Sequence, residues 1–474
     1  MTSDFSSSAA AETSSDSHQP RGRWLAWWLQ PKVAIPLFLV VLILAGPTVF
    51  RGYKLSKVPL APEPFDTQAV LDFVVHDDQN AFVEYRQATA RLVVLASTET
   101  EFLEEALAGE WADVPESIRK WVSDNRPAIE LWKQGTAKPD SQYIRAGEFR
   151  IDTLLPVVQE SRTLERLVRL EALRLRAEGH PDQAWELLRT GLRASQHLGR
   201  RGVAIERFVG MALSASISAS IAKWAQDPSV TTKMLLQARQ EIDEELRRGP
   251  PISATLQIEY LYMRGAIRSQ TIMEELPGFG IDSPIAGLGR LGLYTMGEPE
   301  LCDRVMSHAI RNVLGQVDKP RRERTPQSGR NGFFEPEPTA AATEPTPSQL
   351  DDCVDQSFLC RLVMPAMAQI VSAADRVAVK NAMLKTVIAL ELYRRQNGSY
   401  PETLLPLMPE FLPEIPDDIF EAVRTQVKYR RDGAKVTLWS VGPDGVDGAG
   451  EFEQGADLGY VLEPPKPKPA AELP

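Results

Sequence analysis

Histidine and cysteine are scarce in this chain of 474 residues, which has five of the first and three of the second. No two histidines have the spacing of a helix-borne zinc site, and no cysteine pair has zinc-finger spacing. A G-x-S-x-G nucleophile motif is also absent. Catalytic triads can still assemble from distant positions, but the sequence assigns no catalytic and no cofactor-binding residue.

Positive charge is also in deficit, because the formal net charge is −11 at pH 7. That balance argues against a general nucleic-acid partner. Hydrophobic residues make up 43% and charged residues 25% of the chain, which is typical of a globular protein with a core. Of the three cysteines, Cys302 could form a disulfide with Cys353 or Cys360, or all three could be free thiols.

The N-terminal region contains a long uncharged run, residues 33–50. Residues 1–22 are rich in Ser, Ala and Thr and are predicted to be a disordered tail. Residues 33–50 carry no charge and are long enough to cross a bilayer core, with tryptophans at 24, 27 and 28 suited to its interface. No signal-peptidase site precedes Pro47. The sequence therefore predicts an uncleaved transmembrane signal anchor at 23–52.

The orientation of this anchor does not follow from its flanking charges, because the two sides carry equal numbers of basic residues: Arg21, Arg23 and Lys32 before, and Arg51, Lys54 and Lys57 after. A short tail before a first hydrophobic segment usually stays in the cytoplasm. We therefore expect a single-pass protein of the bacterial cytoplasmic membrane, with its bulk extracytoplasmic.

Residues 60–317 have the periodicity of one helix after another, and Asp66 is a predicted N-cap. Two amphipathic runs flank residues 179–182, where Gly ends one helix and Pro-Asp opens the next. The stretch 164–198 loosely resembles a tetratricopeptide-like hairpin, without a second copy. Residues 318–351 are rich in Pro, Thr, Glu and Ala and are predicted to be a linker or exposed loop.

The C-terminal part, residues 352–463, is predicted to be a small α+β module before a Pro-rich tail at 464–474. A long helix is expected to end at Asn397-Gly398, and two strands are expected to meet at Asp432-Gly433. The predicted fold class is therefore mainly α: a transmembrane helix, a helical bundle or hairpin array, and a module with a long helix and an antiparallel β-hairpin.

Four segments of this module resemble the major pseudopilin of type II secretion. They are ALELYRRQNGSYPETL (389–404), the turn at 416–420, LWSVGPDGVDG (438–448) and the acidic stretch that ends at Ala456-Asp457-Leu458. The whole chain resembles uncharacterised membrane-anchored helical proteins of planctomycete-type bacteria. A pseudopilin carries its membrane helix directly before its head, whereas here the membrane segment lies more than three hundred residues upstream. We therefore expect this chain to contain the module but not to assemble into filaments.

The resemblance implies a structural calcium site in the glycine-rich loop after LWSV, with Asp444, Asp447 and Asp457 as ligands. Calcium binds six to eight oxygens from carboxylates and carbonyls, and glycines let carbonyls turn inward. The alternative is an acidic turn that is only solvated.

These features together predict an extracytoplasmic structural or interaction protein. We expect it to contact the membrane and a protein partner in the cell envelope, with no nucleic acid and no identifiable small-molecule substrate. The alternative is a cell-envelope enzyme whose active site lies in the helical domain.

Overall fold

The computed structural model describes residues 31–463, apart from 151–152, 154, 270–296, 339–343 and 453–456. Within this part of the chain the protein is mainly helical and carries two small antiparallel sheets, as the mainly α class predicts. The predicted tails at 1–22 and 464–474 lie outside the described residues, as does the first part of the predicted anchor.

The helices, in chain order, are α1 (Pro31–Lys57), α2 (Thr67–Asp72), α3 (Phe82–Ala90), α4 (Leu103–Ala108), α5 (Glu116–Asp124), α6 (Arg126–Thr136), α7 (Pro156–Ala177), α8 (Pro181–His197), α9 (Ala204–Gln226), α10 (Thr232–Arg247), α11 (Ile252–Arg268), α12 (Glu298–Leu314), α13 (Pro347–Gln356) and α14 (Phe358–Asn397). The strands are β1 (Gln327–Ser328), β2 (Phe333–Phe334), β3 (Lys428–Asp432), β4 (Lys435–Ser440) and β5 (Leu458–Leu462).

The predicted helix hairpin around residues 179–182 is present as α7 and α8. Gly179 adopts a left-handed conformation, with φ +85°, and Pro181 opens α8. Gly191 of α8 lies against α9, because a Cβ at this position would be 2.6 Å from the side chain of Ile217. The glycine therefore permits close packing mainly between α8 and α9.

Asp66 caps α2 as predicted, since its side chain accepts a hydrogen bond from the Ala69 amide at 3.0 Å. The helix that Asp66 caps is shorter than the sequence predicts. It ends at Asp72, and the next helix, α3, begins only at Phe82. Side chains from a distant loop bind the chain between them: the Gln142 Oε1 atom accepts a hydrogen bond from the Val75 amide at 3.0 Å.

A second core forms from α11, α12, α13, the first half of α14 and strand β2. Cys302, Cys353 and Cys360 are all buried in it as free thiols. Burial and a hydrogen bond with Cys302 raise the pKa of the Cys360 thiol well above its usual range. Helix α1 docks on this core through Leu55 and Val58.

Residues 318–351 are not an exposed linker over the stretch that the structure describes. They form a 3₁₀ turn at Arg321–Glu323, the hairpin β1–β2 and the start of α13. Phe333 and Phe334 are buried in the second core. The Phe334 amide donates to the Asn312 side chain at 2.9 Å, and its carbonyl accepts from the same side chain at 2.8 Å. This pairing holds the segment against α12.

The first and larger core is formed by residues of α3 to α10, the second half of α14 and the strands β4 and β5. The C-terminal region is continuous with the helical body, because α14 contributes its first half to the second core and its second half to the first. Helix α14 is capped by Gly398, which is left-handed with φ +81°, as predicted. The sheet has the order β3-β4-β5, so a third strand joins the predicted hairpin. The turn between β3 and β4 is formed by Gly433 and Ala434, one residue later than predicted.

Two helices within the described residues are long and apolar enough to cross a membrane, namely α9 and α14. The apolar window of α9 is 61% buried against other parts of the protein, and that of α14 is 40% buried. Both helices pack against the body: α9 contacts α8 and α14, and α14 contacts α10, α11 and α12.

Candidate functional site

The acidic loop, residues 441–457, connects β4 to β5, and Asp457 is its last residue. Its carboxylate is buried and accepts hydrogen bonds from the amides of Gly448 at 3.2 Å and Gly450 at 2.7 Å. Gly450 has φ +82°, and a Cβ there would lie 2.8 Å from Thr437, so the loop backbone presses onto β4. Each Asp457 oxygen therefore has an amide partner.

The other two predicted ligands make separate contacts. Asp447 accepts hydrogen bonds from the Trp439 indole and from the Ala449 amide, both at 2.9 Å, which lower the pKa of Asp447. Asp444 is exposed and accepts a hydrogen bond from the Val446 amide at 3.1 Å, within its own turn. Both are acceptors in tight turns of the kind that Asp favours.

A calcium site would need these carboxylates to converge with carbonyl oxygens. Among the described residues, no group of three or more His, Cys, Asp and Glu side chains is arranged to hold a metal ion. The two described hydrogen-bond partners of Asp457 are amide donors, and the three aspartates make separate contacts. The calcium site stays a prediction of the resemblance.

Asp418 is a buried carboxylate that the sequence analysis placed in a turn without a role. It accepts hydrogen bonds from the Phe420 amide at 3.1 Å, the Ser440 hydroxyl at 2.7 Å and the Val441 amide at 2.8 Å. Three donors surround one buried carboxylate, as a polar group out of water requires. Asp418 thereby joins the 416–420 turn to the end of β4.

Tyr400, in the segment 389–404, binds the chain that follows α14 back onto this helix. Its buried hydroxyl donates to the carboxylate of Glu391, and the Arg394 guanidinium lies 5.6 Å from the centre of its ring. Burial and the Glu391 carboxylate raise the pKa of Tyr400, so this hydroxyl remains a donor. These contacts give the tyrosine a structural role.

A cleft of about 900 Å³, here named the outer cleft, lies between the helical body and the C-terminal region. Its walls come from α10, the second half of α14, the Pro-rich stretch 409–416 and residues 320–323. Lys385 of α14 pairs with Asp243 of α10 at 3.0 Å. Arg239 of α10 donates to the Phe411 carbonyl at 2.7 Å. The walls are mixed in charge and rich in proline.

A second cleft of about 540 Å³, here named the inner cleft, lies further along α14. It is bounded by the end of α8, the first half of α9, residues 249–252 and residues 317–324. The two clefts share Pro320, Arg321 and Ile419 as lining residues, so they adjoin at this point.

Residues 317–324, here named the strap, divide the two clefts and depend on one buried carboxylate. Asp375 of α14 lies 2.8 Å from the Arg321 guanidinium and 2.9 Å from that of Arg324. Arg321 also donates to the Ile419 carbonyl at 3.1 Å and stacks over Phe420. The strap therefore binds both α14 and the 416–420 turn. The basic residues of the strap therefore line the two clefts: Arg321 and Arg322 the outer cleft, Arg321 and Arg324 the inner cleft.

Titratable groups with large pKa shifts also occur inside the helical body. Burial raises the pKa of Glu165 to about 7, and burial with nearby guanidinium groups lowers the pKa of His197 to about 3. His197 is bound through its Nδ1 atom to the Tyr85 hydroxyl at 2.8 Å. Glu165 and Tyr85 line a cavity of only about 10 Å³, which has room for roughly one water molecule. This cavity is too small for a substrate.

Comparisons with protein-family models, with curated proteins and with solved structures find no match to this chain.

Proposed function

We propose that this protein is a single-pass membrane-anchored extracytoplasmic interaction protein, which binds a segment of a partner protein in the outer cleft. The observation that carries the proposal is a cleft built jointly by the helical body and the C-terminal region. A cleft between two such regions, with prolines and mixed charges, is a common setting for recognition.

The anchor is supported by the unequal burial of α1. Large apolar side chains in its first part are exposed, including Phe38 at 64% and Val49 at 70%. Its last part is docked, since Arg51 pairs with Glu300 and Lys54 donates to the Gln356 carbonyl at 2.7 Å. A helix that is apolar and uncovered at one end and bound at the other suits a membrane span joined directly to its domain.

The interaction role is supported by the strap, which makes the cleft wall rigid. The Arg322 Nη2 atom donates to the Asp418 carbonyl at 2.6 Å, and Asp375 holds Arg321 and Arg324 on the other side. Preformed walls reduce the entropy lost on binding, which favours affinity for an extended segment. The envelope-enzyme alternative gains no comparable support, because the shifted groups Glu165 and His197 lie in the sealed interior.

Photo-crosslinking in intact cells tests the partner site. A photo-reactive residue in place of Lys385, in the outer cleft, should give a discrete adduct with another protein. The matched control places the same residue at Lys120 on α5, whose side chain is 72% exposed and lies outside the clefts. Adducts of equal yield at both positions, or none at Lys385, would contradict partner binding in this cleft.

The anchor and its orientation have a separate test. A C-terminal tag on the full chain should remain with the membrane after alkaline extraction and should be removed by protease added to spheroplasts. A tag protected from protease would reverse the orientation, and release of the protein by alkaline extraction would exclude the anchor.

A further inference from the structure

Arg207, near the start of α9, is a half-buried cation in the wall of the inner cleft. Its Nη2 atom donates to the Pro250 carbonyl at 3.2 Å, while its Nη1 atom has no hydrogen-bond partner within the described part of the chain. Gly199 packs against its backbone, because a Cβ at 199 would lie 2.4 Å from the Arg207 nitrogen. The position of Arg207 is therefore fixed, and part of its guanidinium is free to bind.

The charge of Arg207 has no counter-ion in the cleft as the structure describes it. Asp375 already holds two guanidinium groups, those of Arg321 and Arg324. The other lining carboxylate, Asp318, caps the start of α11 by accepting from the Ser253 amide at 3.1 Å. Burial and the nearby Arg200 lower the pKa of Arg207 to about 10, so Arg207 remains a cation at neutral pH.

The rest of the cleft defines what kind of anion would fit. Met211, Ile252 and Val377 give it apolar walls, and its volume of about 540 Å³ lies in the range of small organic ligands. The Asn381 amide faces it without a hydrogen-bond partner among the described residues, so a donor and an acceptor are both available. A single unpaired guanidinium with apolar walls suits a monoanion with an apolar body better than a phosphate dianion.

We infer that the inner cleft binds an organic carboxylate, with Arg207 as its counter-ion and Asn381 as a hydrogen-bonding neighbour. Two sources supply this chemistry: a free carboxylic acid and the C-terminus of a polypeptide. The second source deepens the proposed function and rests on it, whereas the first is independent of it.

Binding is measured by titration calorimetry on the full chain in lipid nanodiscs. The probes are hexanoate, the acetylated tripeptide Ala-Ala-Leu with a free C-terminus, and the same peptide as a C-terminal amide. We expect at least one carboxylate probe to bind and the amide to bind at least about tenfold more weakly than the free peptide or not at all. Three results would overturn the inference: measurable amide binding as tight as that of the free peptide, no binding by either carboxylate probe, or tighter binding by inorganic phosphate, used as a fourth probe, than by either carboxylate probe.

Arg207→Gln should weaken carboxylate binding by about tenfold or more, while Arg207→Lys, which keeps the charge, should lose less. The matched control is Arg200→Gln. Arg200 is also half-buried and donates to the Arg248 carbonyl at 2.6 Å, but it does not line the inner cleft. Equal affinity in Arg207→Gln and the unmodified chain, with folding verified by circular dichroism, would refute the assignment.

The two sources separate in the same experiment. Binding of hexanoate without the peptide supports the inference with a small-molecule source, and partner binding is then judged by the crosslinking test alone. Binding of the peptide without hexanoate supports a polypeptide C-terminus as the ligand.

Discussion

In the C-terminal region, Asp418 and Asp457 are buried with three and two hydrogen-bond donors, whereas Glu206 and Glu165 in the helical body are buried with one each. The donors around the aspartates are backbone amides of turns and loops and the Ser440 hydroxyl at the end of β4. Glu206 caps the start of α9, where its carboxylate accepts from the Val203 amide at 3.0 Å.

The difference shows that the number of donors decides what a buried carboxylate contributes. A carboxylate with several donors is compensated for its burial and joins the segments that supply those donors. Burial with one donor raises the pKa of Glu206 to about 7, and the nearby Glu259 adds to the increase. Asp418 and Asp457 thus stabilise contacts between segments of the C-terminal region, whereas ionisation of Glu206 destabilises the helical body.

The largest effect is expected for Asp418→Ala. It leaves the amides of Phe420 and Val441 buried without a partner, so we expect it to lower the free energy of unfolding by about 3 to 5 kcal/mol. Chemical denaturation of the full chain, followed by circular dichroism, measures this. The matched control is Asp417→Ala, next to it in the turn. Asp417 pairs with Arg424, which is 75% exposed, so the control should change stability by about 1 kcal/mol or less. Equal losses in the two variants would contradict the special role of Asp418.

The next effect is a pH dependence set by Glu206. Since the pKa of Glu206 is about 7 in the folded protein and 4.5 in the ordinary case, the folded state keeps a proton between these values that the unfolded chain has lost. The free energy of unfolding therefore falls as pH rises through this window, by at most about 3 kcal/mol from this residue.

Glu206→Gln should raise the melting temperature at pH 8 and leave it nearly unchanged at pH 4.5. The matched control is Glu186→Gln, an exposed residue paired with Arg189, which should do neither. A Glu206→Gln variant that is less stable than the unmodified chain at pH 8 would show that the carboxylate is needed as an anion.

Local sequence patterns predicted most elements of the fold. Helical periodicity indicated α7 to α10 and α14, and glycine chemistry indicated the ends at Gly179 and Gly398. The strand β5 was missed because it is five residues long and follows an acidic loop, so no hairpin signal precedes it. The strap was missed because its proline-rich and charged composition resembles that of a linker. Its ion pairs with Asp375 join residues more than fifty positions apart. The periodicity of a single sequence cannot predict such long-range contacts.

The candidate site was predicted only in part. The acidic loop was identified from its aspartates, but their amide and indole partners depend on how the backbone turns. Asp418 was visible in its turn, yet its burial depends on Ser440 and Val441 in a strand that follows it by about twenty residues. The clefts combine walls from several distant segments, so no local motif could indicate them.

The smallest effect is expected from calcium. Asp444, Asp447 and Asp457 make separate contacts within the described residues, so an ion would have to bring them together before it could bind them jointly. We therefore expect no measurable rise in the melting temperature of the full chain between chelator and millimolar calcium. Magnesium at the same concentration controls for ionic strength.

Asp447→Asn tests the contact with Trp439 and should lower the free energy of unfolding by about 0.5 to 1.5 kcal/mol, with or without calcium. A rise that is specific to calcium and lost in Asp447→Asn would restore the calcium site that the sequence predicts. It would also break the comparison, because an ion and not backbone donors would then stabilise the anions of this loop.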